Sequence, residues 1–189
     1  MEIKIDQYGI DHTARHLMNA PELGSKFNVR ITDSKSFLEK LAGYLNTKLK
    51  PEDIVWIHKE KVNVYLGEVH LIADTELKKL IGIPKNEFLG YMGVIEIDDN
   101  SRSKVFRQKR GQGEDDQMEV NVIEGIEPQP SDELQVHLKK YSEKEGIYLV
   151  NAYTGPKGDG PGLPNHKYQT DEEFKLAEEY WSKRAFIKW

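Results

Sequence analysis

Apolar residues along the chain switch between the 3.6-residue repeat of a helix and the two-residue repeat of a strand, and the switches predict the elements. In "GIDHTARHLMNAPELG" (9–24), Ala14, Leu17 and Met18 keep helical spacing, Asp11 is a cap candidate and Pro21 closes the segment. "TDSKSFLEKLAGYLNTKLKP" places Phe37, Leu38, Leu41, Tyr44 and Leu45 on one helical face, with Asp33 or Ser34 as cap. The period then shortens. "DIVWIHK" and "KVNVYLGEVHLIAD" alternate apolar and polar residues, with Val62, Val64 and Leu66 on one side, as strands do. "DTELKKLIGIP" is a short helix begun by Asp74 and ended by Gly82. "YMGVIEID" and "MEVNVIEGIE" are expected as strands. The segment from Asp98 to Gln117 between them is so polar that a mobile loop is expected, with at most a short strand near 104–108.

"EPQPSDELQVHLKKYSEKEG" predicts a helix capped by Ser131 and ended by Gly146, and "IYLVNAY" predicts a strand. A Gly/Pro-rich loop follows. "TDEEFKLAEEYWSKR" is a helix with Thr170 and Glu173 at capping-box spacing, and "AFIKW" a closing strand. The order predicts an α+β fold, a mainly antiparallel sheet with helices packed against it, in one domain spanning 1–189. The strands near 54–58, 62–72, 91–97, 118–123 and 147–153 are expected in one dominant sheet.

Composition narrows the chemistry. The chain has 189 residues, enough for one ordinary domain, and a net charge of −5, so any polyanion must be met by a local patch. It contains no cysteine, which removes disulfides, thiolate metal sites and a cysteine nucleophile. The opening "MEIKIDQYGID" lacks a signal-peptide core, and no run approaches membrane-span length. The expected setting is cytoplasmic, with no membrane partner.

Three stretches carry candidate chemistry. In "HTARH", His12 and His16 share a helical face beside Arg15. Histidine exchanges protons near neutrality and arginine grips phosphate at two points, so these are parts for acid–base cleavage of a phosphodiester. Thr13 stands where a zinc-protease motif needs its glutamate; a metal pair completed by His58, His70 or a carboxylate is the alternative chemistry, and solvent-facing histidines the plain structural one. In "SRSKVFRQKR", Arg102, Lys104, Arg107, Lys109 and Arg110 surround Phe106, a combination suited to a single-stranded nucleic acid or, more plainly, to neutralising the acidic flanks. In "YLVNAYTGPKGDGPGLP", Thr154 ends a strand before a glycine loop whose amides could cradle an anion, although the loop lacks the ending of a P-loop. His137, in the lysine-rich helix, is expected to be exposed.

"HTARH" together with "NAYTGPK" and "YWSKRAFI" resembles the barnase–EndoU–colicin–RelE (BECR) nuclease superfamily, in its phage and mobile-element branches. The resemblance covers "HTARH" and about 60 residues at the C-terminal end. It implies a small α+β nuclease that cuts RNA without a metal or other cofactor. It also implies that His12 or His16 is the general base or acid, Arg15 a phosphate ligand, and Thr154 a phosphate contact, with Tyr153 a further nucleic-acid contact. RNA is the implied partner, with a cognate protein inhibitor as a second one. The competing expectations are a non-catalytic phage or prophage binding or regulatory protein and a metal-dependent hydrolase.

Overall fold

Helix boundaries follow the hydrogen-bonding side chains that precede them. The computed structural model describes residues 2–110, 118–127, 129–141, 146–155, 161–166 and 169–189. Strand β1 (Ile3–Ile5) leads into helix α1 (Gln7–Ala14), where the Asp6 carboxylate accepts from the Gly9 amide at 2.9 Å. The helix therefore begins earlier than Asp11 and ends at Ala14, leaving His16 in the turn beyond it. Helix α2 (Ser34–Lys48) follows the short strand β2 (Lys26–Phe27) and is capped by Asp33 as expected. Strands β3 (Val55–Lys59) and β4 (Val64–Ile72) precede helix α3 (Thr75–Ile81). Asp74 caps α3, and Gly82 closes it at φ 86°, a left-handed conformation that costs glycine little.

Next come β5 (Gly90–Tyr91), β6 (Val94–Glu96), β7 (Val105–Arg110) and β8 (Met118–Ile123). The chain closes with β9 (Pro130–Ser131), β10 (Glu133–Lys140), β11 (Ile147–Thr154), helix α4 (Asp171–Ser182) and β12 (Arg184–Ile187). Thr170 and Glu173 form the expected capping box on α4.

The fold is α+β, with mostly antiparallel sheets. Among the described residues, the strands lie in three sheets rather than one: β1-β11-β10-β4-β3, β6-β12-β8-β7 and β2-β5-β9. Residues 133–140 are a strand at the centre of the first sheet, not a helix. The Ser131 hydroxyl does accept from a downstream amide, that of Glu133, but it turns the chain into a strand. Leu134, Val136 and Leu138 alternate inward, and burying all three outweighs helix propensity. Residues 105–110 form a strand in antiparallel register with β8, longer than the strand expected near 104–108. The rest of the polar segment, 111–117, lies outside the described residues.

The main core joins Leu38, Leu41 and Leu45 of α2 and Leu77 of α3 to Leu134, Val136 and Leu149 of the sheet. Each fully buried leucine contributes about 1.5–3 kcal/mol. Helix α1 rests on β11 through Gly9, where a Cβ would collide with the Leu149 carbonyl. The second sheet has its own cluster, Leu23, Val120, Val122 and Phe186, with Trp181 stacked on Phe186 at 5.1 Å. The end of α1, the end of β11 and the end of β7 meet beside this second cluster.

Candidate active site

Two guanidinium groups and two histidines converge there. A cavity of about 260 Å³ is lined by His12, Arg15, His16, Pro21, Glu22, Leu23, Gln108, Lys109 and Arg110. It is smaller than the roughly 300–1,000 Å³ usual for drug-sized ligands.

His12 sits in the last turn of α1, its ring 5.6 Å from that of Tyr8. Burial, with Arg15, His137 and Arg110 adding positive charge nearby, lowers its pKa from 6.5 to about 4. His16 lies in the turn after the helix, because the chain there is held by a lysine. Lys26 is wholly buried, and its ammonium donates to the carbonyls of Arg15 at 3.0 Å and Ala20 at 2.6 Å. Burial lowers the Lys26 pKa, while Glu22 opposes that shift. The ammonium thus ties the end of α1 to the Ala20 carbonyl beyond it and fixes the segment that carries Arg15 and His16.

His16 Nδ1 lies 3.0 Å from the Ser25 carbonyl, which can only accept. Nδ1 therefore carries the proton, the Ser25 hydroxyl at 3.1 Å turns a lone pair toward it, and Nε2 is left as the acceptor. Burial first, then nearby His12, Arg110 and Lys26, lowers the His16 pKa to about 3 against the opposing Ser25 bond. Both rings are neutral at pH 7.

Arg110 ends β7 and lies over the Phe186 ring, 4.0 Å from its centroid. Burial, then the like charge of Arg15, lowers its pKa from 12.5 to about 10. Among the described residues, no carboxylate stands at salt-bridge distance from Arg15 or Arg110. Glu22, exposed at the rim, is the one carboxylate among the lining residues. Two mutually repelling cations held in a partly desolvated cleft beside neutral imidazoles are an arrangement that an anion would complete.

Strand β7 supplies the opposite wall, and the first sheet packs behind His16 without lining the cavity. Tyr153 of β11 stacks on His16 at 5.6 Å and meets His137 of β10 edge-on at 5.3 Å. Burial raises the Tyr153 pKa to about 12, so its hydroxyl stays protonated. His137 is half-buried in a strand, not exposed on a helix, and burial lowers its pKa.

Of the residues expected from sequence, His12, Arg15, His16, Lys109, Arg110 and Tyr153 are brought together. Thr154 is adjacent but is turned into the protein. It is 2% exposed, and its hydroxyl lies 2.8 Å from the Tyr91 carbonyl and 3.3 Å from that of Lys26, joining β11 to the β2-β5 strands. Arg102, Lys104, Phe106 and Arg107 do not line the cavity. Arg102 stands 3.9 Å from Asp99, Lys104 is exposed, and Lys188 lies over the Phe106 ring. Arg107 bonds the Asn121 side chain at 3.1 Å and the Glu119 carbonyl at 2.9 Å. The glycine loop, residues 156–160, lies outside the described residues. His70 pairs with Glu133 at 2.8 Å and His58 with Asn63 at 3.2 Å, away from the cleft. Among the described residues, no three His, Asp or Glu side chains group as metal ligands. Nor is any described helix long and apolar enough to cross a membrane.

Sequence reading missed Lys26 and His137. The alternation of Leu134, Val136 and Leu138 was the available signal for His137, since it puts that residue on the face away from the main core.

These features define an α+β protein with a cationic, histidine-bearing cleft at a sheet end. No family model matches the chain, and no curated protein matches it. Among solved structures it is similar to a conserved hypothetical protein from Toxoplasma gondii ME49, with a TM-score of 0.57 and 10% identity over 99% of this chain and 94% of that one. At that identity the likeness concerns the fold alone.

Proposed function

We propose that the chain is a metal-independent endoribonuclease of the BECR type, acting by acid–base cleavage of RNA in the cleft between α1 and β7. The observation that carries this reading is the pair of guanidinium groups, Arg15 and Arg110, facing one partly buried cavity beside the neutral His12 and His16. The guanidiniums hold the phosphate and stabilise the charge that grows on it, the task a metal performs elsewhere. A neutral histidine of the α1 wall takes the proton of the 2′-hydroxyl, and an acid protonates the leaving 5′-oxygen. Lys109 at the rim meets a neighbouring phosphate, and Tyr153 offers a ring to a base.

The test is cleavage of mixed-sequence RNA by the purified protein in EDTA, compared with His12→Ala, Arg15→Ala and Arg110→Met. Loss of a catalytic proton carrier typically costs about 10²–10⁴-fold. Cleavage that resists EDTA and falls by that order in the variants supports the reading. Intact RNA under all conditions, with or without divalent metal, overturns it.

A further inference from the structure

The first sheet runs β1-β11-β10-β4-β3, so β1 and β3 are its two edges, and the chain treats them differently. Along β1 the side chain of Asn46 stands in for a neighbouring strand. Its Oδ1 accepts from the Ile3 amide at 2.7 Å, and its Nδ2 donates to the Ile3 carbonyl at 3.2 Å. Strand β3 has no such cover. Among the described residues, the backbone of Val55–Lys59 pairs with β4 and bonds to no other segment. It also lacks the proline or bulge that commonly protects an open edge. Instead, Val55 and Ile57 stand on one face of it, 60% and 42% exposed.

The charges on this edge complement themselves. Asp53 precedes β3 and Lys59 ends it, at equal distance in sequence on either side of Trp56. With a two-fold axis at Trp56, antiparallel pairing sets Val55 against Ile57 of the second copy and Asp53 against its Lys59, each contact occurring twice. Sliding the pairing by two residues sets Lys59 against Val55 or Asp53 against Ile57, a charge against an apolar chain. The Trp56 ring lies back over Gly67, where a Cβ would be 2.8 Å from it, so it leaves the edge clear.

We infer that β3 pairs with β3 of a second copy of this chain, antiparallel about Trp56, to form a symmetric dimer. The inference goes beyond the ribonuclease reading and does not depend on it. The two five-stranded sheets become one, whose outer strands are the two copies of β1. Asn46 already occupies those edges, so growth stops at two chains. The seven residues from Asp53 to Lys59 are fewer than the roughly 20–30 a side of a standard interface, so the dimer forms reversibly.

Sedimentation equilibrium of the wild type at neutral pH, from about 1 µM to about 1 mM, should show monomers converting to dimers and to nothing larger. Ile57→Lys changes an exposed position, so it should keep the melting curve and raise the dissociation constant by about tenfold or more. Asp53→Lys and Lys59→Glu each set like charges opposite one another, and each alone should stay monomeric where the wild type dimerises. An equimolar mixture of the two restores both ion pairs and should form heterodimers. A wild type that stays monomeric, a dimer unaffected by Ile57→Lys, or a mixture no more associated than its parts overturns the inference. Amide exchange of the wild type adds a measurement that needs no variant to fold. Protection along Val55–Lys59 should rise with protein concentration, and protection that rises only elsewhere equally excludes β3 as the contact.

Discussion

At the scale of single residues, the cleft is governed by which polar atoms already have partners. Thr154 has a hydroxyl committed to backbone carbonyls, whereas Arg15 and Arg110 have guanidiniums facing the cavity. Thr154→Val should therefore lower stability by about 1–3 kcal/mol, the usual cost of stranding buried acceptors, and leave RNA affinity unchanged. Denaturant melts and binding isotherms of the same variant check both halves. Arg110→Met keeps the stem over Phe186 and removes the charge, so it should fold normally and bind inorganic phosphate more weakly, as read by calorimetry. Residue chemistry of this kind was partly legible in the sequence. "HTARH" put two histidines and an arginine on one short segment, and all three do line one cavity, but nothing local to "LQVHLKK" or "SKF" could say where His137 and Lys26 would be carried. Those placements arise from strand register and from a lysine that reaches back to the carbonyls of Arg15 and Ala20.

At the scale of elements, two positions decide whether the cleft assembles. Helix α1 can lie on β11 only because residue 9 has no side chain. Gly9→Ala gains about 1 kcal/mol of helix propensity, yet drives a methyl into the Leu149 carbonyl, and overpacking of this sort costs about 1–3 kcal/mol. The net expectation is a lower Tm and a displaced His12, read from melting and from histidine ring signals in NMR spectra. Strand β7 makes the second contribution, and its two ends differ. Arg107 is bonded to β8, while Lys109 and Arg110 reach the cavity. Neutralising Lys109 and Arg110 should weaken RNA binding, while Arg107→Gln should change it little. With about three phosphates neutralised, log affinity against log salt should slope near −2 for single-stranded RNA. The helices and most strands could be read from period and capping because those signals are local. Residues 133–140 could not, since the capping-like Ser131 and the two-residue alternation pointed different ways, and only tertiary burial chose the strand.

At the scale of the whole molecule, the acidic chain concentrates positive charge in one cleft, and that has a pH consequence. His12 and His16 have folded pKa values lowered from 6.5 to about 4 and about 3. Their neutral forms are favoured in the folded state, so their contribution to stability is complete above pH 6.5. It declines as pH falls through the folded values, because the unfolded chain then binds more protons. Tm should drop between pH 6.5 and 4.5, ahead of carboxylate protonation, and the drop should be shallower in His16→Phe. A bound phosphate reverses the balance by favouring the imidazolium forms, so phosphate should protect most strongly in the same window.

The central claim is that the cleft turns the RNA's own 2′-hydroxyl on the adjacent phosphate. It is tested most directly by mass analysis of the products from an RNA oligonucleotide and from the same oligonucleotide with 2′-deoxy substitution at the cleaved position. The account predicts a 2′,3′-cyclic phosphate from the first, and no cut at the substituted position in the second. Cleavage of both, leaving a linear phosphate, would contradict it.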